Sequence, residues 1–207
     1  MAESISEAVF RILESRPYML CAIEEGYANH SEIARLAGEE LKKQGIRAGA
    51  EALRAAVRRF SAERASSSSK RSEAIRRLLK GSKLELRTKL AVVVLSPAVR
   101  VPAIAGASSV SGPSGLTLVL PEDGLPSLHK HVREDDVLLE RRDLAALAVV
   151  SSESIEIVPG VVAFLSSTLA ENGVNIREFL SSYRDTVMVV ERKDALKAFS
   201  LLDRLLH

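Results

Sequence analysis

Hydrophobic positions recur at helical spacing from the start of the chain. In residues 4–15, "SISEAVFRILES", Ile5, Val9, Ile12 and Leu13 fall on one face. Pro17 limits that helix, and the short apolar segment "YMLCAIEEG" closes at Gly26. Cys21 sits there among Tyr18, Met19, Leu20 and Ile23, a setting that predicts a buried thiol. Asn29 followed by Glu32 predicts a capping box for the helix "SEIARLAGEELKKQ", which Gly45 stops in left-handed conformation. A third helix, "AGAEALRAAVRRFSAERA", buries Leu53, Val57 and Phe60 and turns Arg54, Arg58 and Arg59 elsewhere. The first 65 residues thus read as a three-helix domain.

The serine run 66–69 predicts a break, and "EAIRRLLKG" beyond it a short basic amphipathic helix, so 66–82 reads as a linker with one helix. After Gly81 the period changes from helical to alternating. "LELRTKLAVVVLS", "GLTLVLPE", "DVLLERRDLAALAVVSS" and "DTVMVVER" are β-rich, with helical patterns between them at 124–132, 161–172 and 194–206. Alternation at this density predicts an α+β fold with helices on one face of a sheet. In 161–172, Val162, Leu165 and Leu169 recur at core spacing; in the last helix Ala195, Phe199, Leu202 and Leu206 do.

Composition narrows the class. Of the 207 residues, 46% are hydrophobic and 27% charged, a globular rather than a disordered balance. The start is acidic and lacks the basic-then-apolar order of a secretory signal. The longest clean apolar run, 144–150, falls well short of the roughly 20 residues that cross a bilayer. The expectation is a cytoplasmic protein with no membrane partner. One cysteine excludes an internal disulfide and a multi-cysteine metal site. The net charge of +2 conceals a basic stretch: residues 42–89 carry 15 Lys/Arg against 4 Asp/Glu, which favours a polyanionic partner or makes a solvated helical surface.

Catalytic and metal chemistry find little support. Ser67 and Lys70 satisfy S-x-x-K only because a lysine follows a serine run. His129 and His131 do not share a helix face, and no carboxylate or cysteine pattern completes a ligand set. His30 lies beside a helix cap and His207 is the last residue. The Pro/Gly-rich segment 99–115 has neither the P-loop ending nor the dinucleotide spacing. No enzyme, no cofactor and no metal are expected.

One stretch carries more. "VPGVVAFLSSTLAENGVNI" (158–176) sets Pro159 and Gly160 at a helix mouth, stops the helix at Asn172 and Gly173, and restarts in β-branched residues. Free amides at that helix start suit a carboxylate, although a strand-to-helix turn without a ligand has the same spacing. Together with "FLSSYRDTVMVVERKDALKAFSLL" (179–202), the stretch resembles the ACT domain, a ferredoxin-like βαββαβ module that senses small molecules, and most closely its aspartokinase type. The likeness covers about 65 residues and sets an ACT domain at 143–207. It implies an amino-acid effector held between two ACT units, touching Ile157, Val158, Pro159, Gly160 and Val161 on the loop and Asn175 and Ile176 on the next strand. Ser181 and Ser182 match the family's serine or threonine pair. The unit's fourth strand is missing after His207, so another segment must supply it. Residues 83–142 resemble a degenerate second ACT-like unit, with strands near 86–96, 107–112, 115–121 and 136–141 and no counterpart of the first helix.

The front domain, through "NHSEIARLA" and "AEALRAAVRRF", resembles the helix-turn-helix-like N-terminus of ACT-domain regulators. That likeness implies duplex DNA as a partner, with Arg47, Arg54, Arg58 and Arg59 at phosphates or guanine edges. Two functions stay open at this point. One is an amino-acid-sensing transcriptional regulator working as a homodimer. The other is a regulatory subunit that docks on an amino-acid biosynthetic enzyme and binds no DNA.

Overall fold

The computed structural model describes residues 3–151 and 155–207, apart from the side chains of 65–69 and 156. Contacts divide the chain into two compact units, Met1–Ala74 and Ile75–His207.

The first unit is helical. α1 (Ile5–Glu14) starts on a full capping box: the Ser4 hydroxyl accepts from the Glu7 N–H at 3.2 Å, and the Glu7 carboxylate accepts from the Ser4 N–H at 2.7 Å. The predicted box at Asn29 is one-sided. The Asn29 side-chain oxygen accepts from the Ser31 and Glu32 N–H groups, starting α3 (His30–Lys43), while Glu32 pairs with Arg35 instead of reaching back. The apolar segment between them is a helix of its own, α2 (Pro17–Glu24), opened by Pro17 in the first turn. With Ile23 its one buried residue, Cys21 lies on the exposed face, against the expectation of a buried thiol. Val9, Ile12, Leu13, Ile23, Ala34, Leu41, Leu53, Val57 and Phe60 form the core, where Phe10 meets Phe60 edge-on at 4.8 Å. At Gly38 a Cβ would lie 2.7 Å from Leu53 Cδ1, so glycine permits the close approach of α3 to the next helix.

That helix, α4 (Ala50–Leu79), runs for 30 residues. The serine run does not break it. Serine is only a modest helix former, but without Gly or Pro nothing forces the backbone out. The expected linker is therefore helical as far as Leu79; Ser67, of the S-x-x-K match, has its side chain outside the described residues.

The second unit is one six-stranded antiparallel sheet with lateral order β2-β3-β1-β4-β6-β5. Its strands are β1 (Lys83–Leu95), β2 (Ser108–Gly112), β3 (Gly115–Pro121), β4 (Val137–Val150), β5 (Ile176–Ser182) and β6 (Asp185–Glu191). The helices are α5 (Leu125–His129), α6 (Val161–Glu171) and α7 (Ala195–Leu206). β1 and β4 are long because each serves twice. Residues 144–150 of β4, then α6, β5, β6 and α7, make a βαββα run, and Lys83–Thr88 of β1 pair beside 145–150 as its fourth strand. The strand absent after His207 thus comes from before the repeat. Reciprocally, Leu90–Leu95 open the first half, β2, β3 and α5 continue it, and 137–141 close it.

Both long strands break register where one role gives way to the other. Thr88 faces Ala145 and Leu90 faces Leu144, leaving Lys89 bulged; Val92 then faces Arg141, leaving Asp143 bulged. Lys89 (φ 58°) and Asp143 (φ 56°) are left-handed, an uncommon state for residues with a Cβ. Asp143 is tied down on both sides: its N–H donates to Glu122 at 2.7 Å, and its carboxylate accepts from Arg192 at 3.3 Å. The expected boundary between 142 and 143 is thus a bulge inside one strand.

Side-chain alternation gives the sheet two buried faces. On the helical side Ala145, Leu147, Val149, Met188 and Val190 pack with Leu165, Leu169, Leu202 and Leu206, and with Ile75, Leu78 and Leu79 from the last turn of α4. In the first half Ala91, Val93, Leu95, Leu118 and Leu120 pack with Leu125 and Leu128. The face without helices buries Leu90, Val92, Val119, Leu144, Ala146 and Val189, because the sheet curls upon itself. α6 buries Val161, Leu165 and Leu169, while Val162 is 46% exposed, a one-residue phase shift from the predicted stripe. α7 buries Ala195, Ala198, Leu202 and Leu206, with Phe199 at the margin.

Candidate ligand-binding site

The residues nominated from the sequence converge on the ends of α6. Gly160 is its N-cap, left-handed at φ 97° with no side-chain cap, and Pro159 stands one residue outside the helix rather than in its first turn. Left-handed Gly160 sets the phase that sinks Val161 to 1% exposure while Ile157 remains 66% exposed. Val158 is half-buried against the helical core, and Pro159 and Gly160 are exposed. Phe164 N–H donates to the Gly160 carbonyl at 2.9 Å. Among the described residues the first amides of the helix meet no capping side-chain oxygen, an arrangement suited to an anion.

The loop is rooted in the β5–β6 hairpin. Ser151 N–H donates to the Arg184 carbonyl at 2.9 Å, and Ile155 N–H to the Tyr183 carbonyl at 3.2 Å. Tyr183 holds φ 51° and is 65% exposed, an unusual state for a bulky residue. Sequence reasoning passed over it; the available signal was a two-residue connection, Tyr183–Arg184, between the strand runs "IREFLSS" and "DTVMVVE". Ser181 and Ser182, both exposed, pair with Thr186 and Asp185 just before that turn.

At the far end of α6, Asn172 caps the helix and Gly173 is left-handed (φ 74°). Val174 N–H donates back to the Leu169 carbonyl at 3.0 Å. Lys197 donates to the Asn172 carbonyl. Asn175 is exposed and Ile176 half-buried. An eleven-residue helix separates Asn175 from Gly160 by about 16 Å. Within one chain the loop and Asn175 stand apart, whereas the loop and the serine-bearing hairpin are joined.

Beneath the loop, three hydroxyls are buried without partners among the described residues: Ser82 (2% exposed), Ser151 (3%) and Thr186 (0%). Ser82 and Ser151 continue the register in which Lys83 faces Val150.

The arginines nominated for DNA are differently placed. Arg54 and Arg58 both pair with Glu51, at 2.7 and 3.5 Å, and the Arg54 hydrogen bond holds the Glu51 carboxyl below its usual range. Arg59 donates to the Ser6 hydroxyl at 2.7 Å, and Arg47 is exposed in the turn before α4. His129 bonds Glu140 at 2.7 Å and His131 bonds the Ser127 carbonyl at 2.9 Å, so the two histidines do not converge. Among the described residues no group of three or more His, Cys, Asp or Glu could hold a metal, and no helix is long and apolar enough to cross a membrane.

Residues 140–204 match the family model described as the ACT domain. No curated protein matches the chain. Among solved structures, the aspartate kinase of Clostridium acetobutylicum aligns at 16% identity with a TM-score of 0.50, over 62% of this chain and 35% of that one. This chain thus spans about a third of that protein's length. The regulatory subunit of aspartate kinase from Thermus thermophilus aligns at 18% identity and a TM-score of 0.47, over 62% of this chain and 100% of that one. The corresponding Thermus flavus subunit gives 16%, 0.49, 63% and 99%. At such identities the likeness is one of fold.

Proposed function

Residues 140–204 are an ACT domain, and from that premise we propose that the protein is an amino-acid-sensing regulator whose effector site is completed by a second copy of the chain. One observation carries the reading: β5 is a free sheet edge with Asn175 at its start and the loop-bearing hairpin at its end. Pairing β5 antiparallel with the same strand of another copy, centred on Phe179, sets Asn175 of the partner subunit opposite Tyr183. The amide that can both donate and accept then reaches the loop from which it is about 16 Å away within its own chain. The uncapped start of α6 takes the effector carboxylate.

The consequence for regulation is linkage. Ile155 and Val161 share a core with Ile75, Leu78 and Leu79 of α4, so an effector that orders the loop favours one setting of that helix end. Calorimetry with the twenty amino acids, together with sedimentation, tests this. Binding by a subset of them, coupled to dimer formation and weakened about tenfold by Asn175→Ala, is expected. No binding by any amino acid would sink the proposal.

For the helical unit we favour docking on protein over binding duplex DNA. Residues 1–74 hold 12 Lys/Arg against 11 Asp/Glu, and Arg54 and Arg58 share one carboxylate, Glu51. Tyr18 and Tyr27 are 86% and 85% exposed. Large exposed aromatics on a unit whose charges nearly balance suit a protein partner better than a phosphate backbone. Affinity for random duplex DNA falling steeply with salt, and lost in Arg54→Ala and Arg58→Ala, would restore the transcriptional reading.

A further inference from the structure

The curl of the sheet makes a second binding place, apart from the loop and from Asn175. On the face without helices, between the two halves, lies a cavity of about 630 Å³. That volume is in the range of small-ligand sites. Its floor is apolar, with Ala148, Val150, Leu180 and Val187. Ser108–Val110 of β2 wall one side and Phe179–Ser182 of β5 the other. These are the two outermost strands of the sheet. Two free strand edges, each with outward N–H and C=O groups unused by the ladder, therefore face one opening.

The lining holds one cation and one anion, Arg87 and Asp185. In the strand register Arg87 faces Ala146 and Asp185 faces Val150, on opposite sides of β4. Four residues along the strands and two strand spacings across them put the two Cα atoms about 16 Å apart before curvature shortens the span. Asp185 has no side-chain partner among the described residues. Arg87 is bonded by Glu85 at 3.0 Å, but Glu85 is also held by Lys83 at 2.7 Å, so that end keeps a net positive charge.

These features select a ligand class. A plain anion would meet Asp185, a plain cation would meet Arg87, and an apolar molecule would leave two strand edges unpaired. A molecule with an ammonium at one end, a carboxylate at the other and amide groups between answers all three. We propose that this cleft binds a short zwitterionic peptide of two or three residues, extended between the β2 and β5 edges. Its ammonium lies at Asp185, its carboxylate at Arg87 and its side chains on the apolar floor. Two or three extended residues span about 7–10 Å, which suits the gap left after the charged side chains reach inward. Recognition combines strand addition with charge-assisted hydrogen bonds at both ends.

Calorimetry on the full chain with tri-alanine, N-acetyl-tri-alanine and tri-alanine amide tests the proposal. Tri-alanine is expected to bind, and each blocked form to bind about tenfold more weakly or worse. Asp185→Asn should weaken tri-alanine by a similar factor and abolish the preference over the acetylated form; Arg87→Met should abolish the preference over the amide. Both positions are exposed, and the blocked peptides probe the same contacts without any substitution. No binding at about 10 mM peptide, or equal binding of free and blocked forms, would overturn it. So would loss of binding in Asn175→Ala, since the peptide would then be occupying the amino-acid site. The two sites share the β5 edge, but this test reads the peptide's terminal charges and the effector test reads Asn175, so either proposal can fail while the other stands.

Discussion

Thr186 offers a sharp test of how the sheet unit is stabilised. It lies in β6, fully buried, opposite Val149 of β4 and Ser181 of β5, on the side that carries Met188 and Val190. Its hydroxyl has no hydrogen-bond partner among the described residues. Burying an unsatisfied hydroxyl costs about 1–3 kcal/mol in protein mutational series. Thr186→Val removes that group, keeps the branched shape and leaves strand propensity intact. The variant should therefore be more stable by about 1–2 kcal/mol, against the usual direction of core substitutions. For a unit of this size that is a rise in melting temperature of roughly 3–8 °C. Urea unfolding followed by circular dichroism should show a higher midpoint at unchanged slope. The exposed neighbour Ser181→Ala should stay within about 0.5 kcal/mol of wild type. A loss of stability in Thr186→Val would refute the reasoning, because it would mean that the hydroxyl makes a bond worth more than its burial costs.

Two further outcomes follow from the same geometry. Burial pushes the Glu140 carboxyl up, but hydrogen bonds from Arg142 and His129 outweigh it and leave it below its usual value. The folded form thus binds this proton less readily than the unfolded chain. The contribution is present above the unfolded carboxylate range, near pH 4.5, and is lost as pH falls through the lower folded value. Glu140→Gln should therefore destabilise at neutral pH and converge with wild type in acid, and a gap that persists unchanged at low pH would contradict it. At the bulge, Lys89→Gly relieves a left-handed conformation costing about 1–2 kcal/mol and should be neutral or stabilising, whereas Thr88→Gly in the adjoining strand should cost about 1 kcal/mol. Equal losses at both positions would show that Lys89 is not strained.

What was legible in the sequence depended on range. The α6 stop at Asn172–Gly173, the β3 run and the core positions Leu53, Val57 and Phe60 are set by neighbours a few residues away, and periodicity finds them. The closing strand could not be found that way, because Lys83 faces Val150 and nothing in either segment alone specifies the other. Pattern shows that 83–88 is a strand but not which half it completes. The bulges at Lys89 and Asp143 were hidden for a related reason: lysine does not mark a left-handed position, aspartate does so only weakly inside a strand-like run, and the conformation is maintained by pairing on both sides. Cys21 misled because apolar neighbours imply burial only when the segment has more than one covered face. At the site, the loop, Asn175 and the helix that separates them were all readable, but the clamp from Tyr183 and Arg184 was not, because it acts through backbone carbonyls and leaves no motif.

The effector site and the peptide cleft make opposite demands on β5. Completion of the effector site uses the outward N–H and C=O groups of β5 for pairing with a second copy, and the cleft uses groups of the same edge, Phe179–Ser182, as one of its walls. A backbone group engaged by one strand is not available to another. A peptide in the cleft therefore weakens the β5–β5 pairing, and an amino acid between two copies weakens peptide binding by the same factor, since linkage of binding free energies is reciprocal. The hairpin makes the antagonism local: Ser182 and Asp185 line the cleft, while the carbonyls of Tyr183 and Arg184 hold the loop. Sedimentation then separates the two ligands by sign, with tri-alanine shifting the chain toward monomer and the amino-acid effector toward dimer. Tri-alanine that bound without moving this equilibrium would place the peptide on the β2 edge alone and leave β5 to the partner subunit.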